Sequence, residues 1–171
     1  MFPVLQPAQV RSTLLAMMRE RDGVIRRDEV LTRLPSYVLD DAVRDGVVVV
    51  AYPGVYRLPE AYDLTTRRRA ALAYLPRGAL SHTDALDTWG LPTISTEHVH
   101  VTVSGDSDAI TSPGVRLHRR TLYLPEPPCT FTRNGLQVVR IEQAVIESWP
   151  LLPNLDRRAP AIVAVRERRT T

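Results

Sequence analysis

The sequence is poor in several features whose absence excludes whole classes of protein. It contains a single cysteine, Cys129, so no disulfide can form within the chain. Its longest apolar run, Val47–Tyr52, is far shorter than the roughly 18 apolar residues of a membrane-spanning helix. The first residues also lack the basic segment followed by an apolar segment that marks a secretory signal. We therefore expect a cytoplasmic protein that does not contact a membrane.

Lysine is missing altogether, so all 22 basic residues are arginine. Residues 1–60 carry eight arginines against eight acidic residues, which sums to zero. Residues 61–171 carry fourteen arginines against eleven acidic residues, which accounts for the net charge of +3. Because nucleic-acid binding usually leaves a strongly basic footprint, the first part of the chain lacks the expected charge for that function.

Patterns that support catalysis or metal binding are also missing. The chain has no Gly-x-Ser-x-Gly sequence, no phosphate-binding glycine loop and no paired carboxylates with a general acid. No cysteine or well-spaced carboxylate accompanies the histidines to complete a zinc site. We predict no enzyme activity, no cofactor and no metal site; an enzyme would require this chain to be a fragment that lacks a further domain.

The first sixty residues have the pattern of three short helices followed by a hairpin. Apolar residues recur on one helical face of the first predicted helix, namely Val10, Leu14, Met17 and Met18. A second helix ends before Pro35, and the hydroxyl of Ser36 is placed to cap a third. Pro53-Gly54 then predicts a tight turn between two β-branched runs. This order is typical of a winged helix-turn-helix domain.

The remaining residues, 61–171, predict a second domain that mixes helices and strands. Polar and apolar residues alternate from His98 to Val103, which is typical of a half-buried strand, and Asn134-Gly135 predicts a hairpin. The fold class is therefore α+β: an N-terminal winged helix-turn-helix domain over residues 1–60, followed by a small mixed α/β domain. We expect the sheet of the second domain to be short and mostly antiparallel.

Four short motifs resemble one protein family over roughly residues 8–149. They are Asp22-Gly23-Val24-Ile25, Pro53-Gly54-Val55-Tyr56, Leu80-Ser81-His82 and Trp89-Gly90-Leu91-Pro92. In this order they are similar to the AbiEi-type antitoxins of bacterial type IV toxin–antitoxin systems. The resemblance implies a winged helix followed by an α/β antitoxin domain, a nucleotidyltransferase-like toxin as the partner, and repression of the operon through promoter DNA. Members usually continue with more helix, so we expect either a short member or a chain cut at its C-terminus.

The third predicted helix is where a winged helix would contact the major groove. Its exposed face carries Asp40 and Asp41 beside Arg44, whereas the family usually has basic residues there. Contact or dimerisation between proteins is therefore an alternative use of this domain. If it binds DNA, the candidate contacts are Arg26, Arg27, Ser36, Tyr37, Arg44 and Arg57.

Two predicted strands of the second domain carry histidine and arginine on one face. If the strands share a sheet, this face forms a basic stripe that suits an acidic partner; an ordinary solvated sheet face is the alternative. The candidate partner contacts are His98, His100, Arg116, His118 and Arg120, with Arg67 and Arg68 at a helix start. His82 is expected to bond locally or to pack near Trp89. Besides an antitoxin, the chain could be a winged-helix regulator whose second domain senses a ligand or dimerises.

Overall fold

The computed structural model describes residues 7–121, 129–154 and 156–167. Within these residues the protein is a mixed α+β structure with seven helices and two sheets. The chain divides into two compact units, Met1–Tyr74 and Leu75–Thr171. The boundary expected at residue 60 lies before the helix Leu64–Tyr74, which the structure groups with the first unit.

The first unit has four helices around a three-stranded antiparallel sheet. Its elements are α1 (Pro7–Arg19), β1 (Val24–Arg26), α2 (Arg27–Leu31), α3 (Tyr37–Arg44), β2 (Val49–Tyr52), β3 (Val55–Arg57) and α4 (Leu64–Tyr74). The strand order is β1-β3-β2, so the last strand lies between the other two. Both pairings are antiparallel, and a register irregularity in the β2–β3 hairpin lies between Val50 and Tyr52.

The predicted apolar faces form the core of this unit. The four apolar residues predicted on α1 are all buried, and they pack with Val38, Leu39 and Ala42 of α3. Gly54 has a φ of +73°, which is the conformation that the predicted Pro-Gly turn requires. Burial of the helix faces thus follows directly from their 3.6-residue period.

The predicted cap of α3 is wrong. Ser36 precedes α3 but makes no side-chain cap hydrogen bond, because its backbone is already helical (φ −60°, ψ −37°) rather than extended. At the start of α4, Oδ1 of Asp63 accepts a hydrogen bond from the backbone N–H of Thr66 at 2.7 Å. This interaction lowers the pKa of Asp63, because it favours the ionised carboxylate.

The second unit has three helices and a five-stranded mixed sheet among its described residues. Its elements are β4 (Ala79–Leu80), α5 (His82–Thr88), β5 (Val99–Ser104), β6 (Val115–Arg120), β7 (Thr130–Arg133), β8 (Leu136–Val139), α6 (Ile141–Ser148) and α7 (Ala159–Arg166). The strand order is β6-β5-β4-β8-β7. The pairs β4–β5 and β7–β8 are antiparallel, whereas β5–β6 and β4–β8 are parallel. The expectation of a mostly antiparallel sheet is therefore wrong.

The hairpin predicted at Asn134-Gly135 is confirmed. Both residues have positive φ, +52° and +73°, as a two-residue turn between twisted strands requires. Within the described ranges, no helix has the length and apolar character needed to cross a membrane.

Candidate functional site

Three histidines from three different elements meet in the second unit. His82 begins α5, His100 lies in β5 and His118 lies in β6. One ring nitrogen from each lies within 4.8 Å of the corresponding nitrogens of the other two. Nδ1 of His100 is 3.0 Å from Nε2 of His118, and the ring of His82 stacks on that of His118 with 3.8 Å between centroids. We call these three residues the histidine cluster.

The parallel pairing of β5 with β6 brings two members of the cluster together. His100 is in register with Arg116, and Thr102 is in register with His118. Registered neighbours of a parallel pair point to the same face of the sheet, so His100 and His118 share a face as diagonal neighbours. The predicted shared face of the two strands is thus present, but it is not an open stripe, because His100 and Thr102 are buried.

The third member of the cluster, His82, has an unusual backbone conformation. His82 has a φ of +52°, in the left-handed region that residues other than glycine rarely adopt. The preceding Ser81 makes no side-chain cap hydrogen bond to α5; its hydroxyl lies 3.0 Å from Nδ1 of His82. The helix is tied to β5 as well, because the backbone N–H of His100 donates to Oδ2 of Asp84 at 2.8 Å.

A buried carboxylate lies beside the cluster. Oε2 of Glu147, from α6, is 3.7 Å from Nδ1 of His82, and the side chain is only 6% exposed. The other oxygen, Oε1, contacts Arg120 at 2.7 Å and accepts a hydrogen bond from Gln143 at 3.1 Å. Burial raises the pKa of Glu147, while Gln143, Arg120 and the backbone N–H of His82 act in the opposite direction.

The imidazoles of the cluster are neutral near pH 7. Burial is the largest cause, and it lowers the pKa of His82 to about 3 and the pKas of His100 and His118 to about 4. Neighbouring positive charge adds to this effect: Arg120 acts on His82 and His118, and Arg116 acts on His100 and His118. Each ring therefore retains a lone pair on one nitrogen, which a metal ion or a hydrogen-bond donor can use.

The cluster opens to a cavity of about 390 Å³. Its lining combines imidazole, guanidinium and apolar groups, namely His82, His98, His100, Arg116, His118, Pro150 and Leu151. His98 and Arg116 are exposed at this cavity, whereas the cluster itself is buried or half-buried. The site can therefore bind a small ion at the imidazoles while presenting a basic and apolar surface to a larger molecule.

The remaining predicted partner contacts have different environments. Arg120 is partly exposed and paired with Glu147. Arg67 is half-buried on α4, and Arg68 is buried with 6% exposure, so Arg68 does not belong to an accessible surface. Both residues belong to the first unit and not to the unit that contains the cluster.

The predicted DNA contacts lie in the first unit, where each of the four arginines has an acceptor within the protein. Arg26 pairs with Asp28 at 2.6 Å, Arg44 pairs with Asp41, and Arg57 donates to the carbonyls of Leu58 and Pro59. Arg27 donates to the hydroxyl of Tyr56 at 3.2 Å and lies 3.7 Å from Asp40. Ser36 is exposed and Tyr37 is 55% exposed.

Sequence reasoning missed His82 and Glu147 as members of the site. They lie far apart in the chain, and neither is in a motif that pairs a histidine with a carboxylate. The sequence indicated that Ser81-His82 stands at the start of a helix. It could not reveal which strands that helix contacts. Comparison with known proteins adds nothing to this geometry, since no family model and no curated protein matches the chain.

Proposed function

We propose that the protein is the antitoxin of a bacterial toxin–antitoxin pair and represses its own operon. In this proposal the first unit is a winged helix-turn-helix domain that binds operator DNA, and the second unit binds a nucleotidyltransferase-like toxin. The observation that carries it is the element order α1-β1-α2-α3-β2-β3 with the antiparallel strand order β1-β3-β2. In such a domain α3 is the helix that enters the major groove and the β2–β3 hairpin is the wing.

The charges on α3 are compatible with DNA binding at a small cost. Asp40 and Asp41 are exposed, and each lies beside an arginine, Arg27 and Arg44 respectively. An exposed ion pair contributes only about 0–1 kcal/mol, so a phosphate can replace the carboxylate as the partner of the arginine. The zero net charge of residues 1–60 then predicts modest affinity that falls as the salt concentration rises.

DNA binding is tested by titrating the chain with DNA of its own promoter. We expect a shift in fluorescence anisotropy that weakens with salt, and for Arg44→Ala a slope of log affinity against log salt reduced by about 1. The matched variant Asp41→Asn frees Arg44 from its carboxylate and should tighten binding. Failure of the wild-type chain to bind promoter DNA at low salt would reject the repressor role.

The proposed toxin surface lies around the cavity of the second unit. Arg116 is exposed there, and Leu151 and Trp149 are 39% and 41% exposed. Arginine and tryptophan are enriched among the residues that dominate binding energy at protein interfaces. A basic rim beside exposed apolar side chains is suited to an acidic, partly apolar surface on the toxin.

Toxin binding is tested by co-expression with the nucleotidyltransferase-like protein encoded beside this chain. We expect the wild-type chain to restore growth, and Arg116→Glu or Leu151→Asp to restore it poorly. Ile110→Asp is the control, because Ile110 is also exposed (73%) but does not line the cavity. Absence of such a neighbouring gene, or no growth rescue by the wild-type chain, would eliminate the antitoxin function.

One observation favours a second candidate, a winged-helix regulator whose second unit senses a ligand. The cavity of about 390 Å³ at the histidine cluster is large enough for a small ligand. A regulator of this kind would bind promoter DNA without rescuing growth from any toxin, and its DNA affinity would change when the cavity is filled.

A further inference from the structure

We propose that the histidine cluster binds one divalent transition-metal ion, and that Zn²⁺ is the ion it fits best. The three ligands are His82, His100 and His118. Metal binding at this site does not depend on the antitoxin function, because all three ligands belong to the second unit.

The spacing of the ring nitrogens is close to what a zinc ion requires. Tetrahedral zinc with bonds of about 2.0–2.1 Å to nitrogen places its ligand nitrogens about 3.4 Å apart. The nitrogens of His100 and His118 are 3.0 Å apart, and all three candidate ligand atoms lie within 4.8 Å of one another. Binding would require the rings of His82 and His118 to turn out of their stacked arrangement, so that all three nitrogens face one ion.

The elements that carry the ligands are held in place without the metal. The strands β5 and β6 pair over six registered residue pairs, from Val99↔Val115 to Ser104↔Arg120. The start of α5 is tied to β5 through Asp84, which accepts from the backbone N–H of His100. The metal would therefore bind to a largely preformed set of ligands, two of them on rigid strands.

The donor set selects the kind of ion. Three imidazoles without a thiolate suit zinc and its neighbours in the transition series rather than calcium or magnesium, which prefer oxygen. Three histidines also leave a fourth coordination position, as in zinc sites that keep a water molecule. Because the cluster opens to the cavity lined by Arg116, this position is accessible to water or to a small anion.

Glu147 lies where a carboxylate could support the metal ligand His82. Ligating histidines commonly donate their second ring N–H to a carboxylate, which orients the ring and raises its basicity. The Oε2 atom of Glu147 lies 3.7 Å from Nδ1 of His82, farther than the Ser81 hydroxyl at 3.0 Å, and the side chain of Glu147 is only 6% exposed. Its negative charge also offsets part of the positive charge of Arg120, which would otherwise oppose a bound cation.

A structural role alone is the competing explanation. In that case three neutral imidazoles would stack and share hydrogen bonds inside the fold, and no ion would bind. The two explanations differ in whether the folded chain takes up metal at micromolar concentration with the stoichiometry of a single site.

The test is a metal titration of the full chain without a histidine tag, after removal of metals with a chelator. We expect one Zn²⁺ per chain in a competition titration with a chromophoric chelator. Co²⁺ should give the visible absorption of a four-coordinate ion, displaced by Zn²⁺. His82→Ala and His118→Ala should lose this absorption, whereas the control Ile110→Ala, at an exposed residue that does not line the cavity, should keep it.

Circular dichroism of the metal-free variants shows whether a variant that binds no metal is still folded. A variant that loses metal binding while retaining the wild-type spectrum supports the site. If His118→Ala does not fold, His118→Gln provides a second variant of similar size, and the wild-type Co²⁺ spectrum is independent of both. The proposal is overturned if the wild-type chain takes up no Zn²⁺ at micromolar concentration, or if folded cluster variants bind as well as the wild type.

Discussion

At the scale of single residues, the backbone of His82 is the feature that most needs an explanation. A non-glycine residue with positive φ costs about 1–3 kcal/mol and persists only where its surroundings impose it. At His82 the surroundings include the Ser81 hydroxyl, Glu147 and the rings of the other two histidines. Such strain is concentrated at functional sites, where it places a side chain that a relaxed backbone could not. The left-handed backbone at His82 thus accompanies the packing of its ring against His100 and His118.

Glu147 gives the residue-scale prediction. Glu147→Gln keeps the size of the side chain but removes the charge beside His82, so the ring is less well oriented and less basic. We expect affinity for Zn²⁺ to fall about 10-fold to 100-fold, the usual effect of losing a carboxylate that supports a ligand. Competition titration with Zn²⁺ measures the change.

Glu142→Gln is the control for this prediction. Glu142 lies on the same helix and also pairs with an arginine, Arg140, at 2.9 Å, but it is not beside the cluster. It should leave affinity for Zn²⁺ unchanged. Equal losses in the two variants would show that Glu147 acts on α6 as a whole rather than on His82.

At the scale of elements, the pairing of β5 with β6 determines the site. The alternation of residues in both strands predicted a shared face, but it could not distinguish parallel from antiparallel pairing, because both place alternate side chains on the same side. The connection, residues 105–114, contains a Pro-Gly pair that resembles a hairpin turn, yet the strands run parallel. Only the parallel register sets His100 beside Arg116 and brings His118 diagonally next to His100.

Gly78, immediately before β4, tests how tightly this sheet is packed. A Cβ atom at Gly78 would lie 2.6 Å from Cγ1 of Val101 in β5, closer than any normal contact. Gly78→Ala should therefore destabilise the protein by about 1–3 kcal/mol, the usual cost of overpacking a core. Urea denaturation measures the change in the free energy of unfolding.

Measuring Gly78→Ala again in a Val101→Ala background shows whether Val101 is the residue that the added Cβ atom contacts. In Val101→Ala the opposing methyl group is absent, so the added cost of Gly78→Ala should be smaller than in the wild type. Neighbouring residues in contact are expected to show such non-additivity. An identical cost in both backgrounds would mean that Leu75 or Val103, the other close neighbours, is responsible instead.

At the scale of the whole molecule, the local signals in the sequence predicted elements well and long-range contacts poorly. The apolar face of α1, the Pro53-Gly54 turn and the Asn134-Gly135 hairpin depend on neighbouring residues, and the structure contains all three. The histidine cluster depends on three elements that meet only after folding, so no spacing in the sequence indicates it. Burial of Arg68 and His100 was missed for the same reason, since a covering element is not visible in a local pattern.

The charge of the whole chain is likewise distributed unevenly, which leads to the last prediction. The neutral first sixty residues carry the candidate DNA contacts, and the positive excess lies in the part that carries the candidate toxin surface. If the two functions belong to separate units, substitutions should remove them one at a time. Arg44→Ala should raise expression from the promoter but still rescue growth from the toxin, and Leu151→Asp should do the reverse.

A strain that carries a promoter reporter and an inducible toxin gene measures both functions in the same cells. Arg44 is exposed on α3 and Leu151 is exposed at the cavity, so neither substitution removes a core contact and both variants should accumulate like the wild type. The double variant should lose both functions to the extent that each single variant loses one, because substitutions at independent sites act additively. Loss of both functions in either single variant, at wild-type protein levels, would show that repression and neutralisation depend on one shared surface.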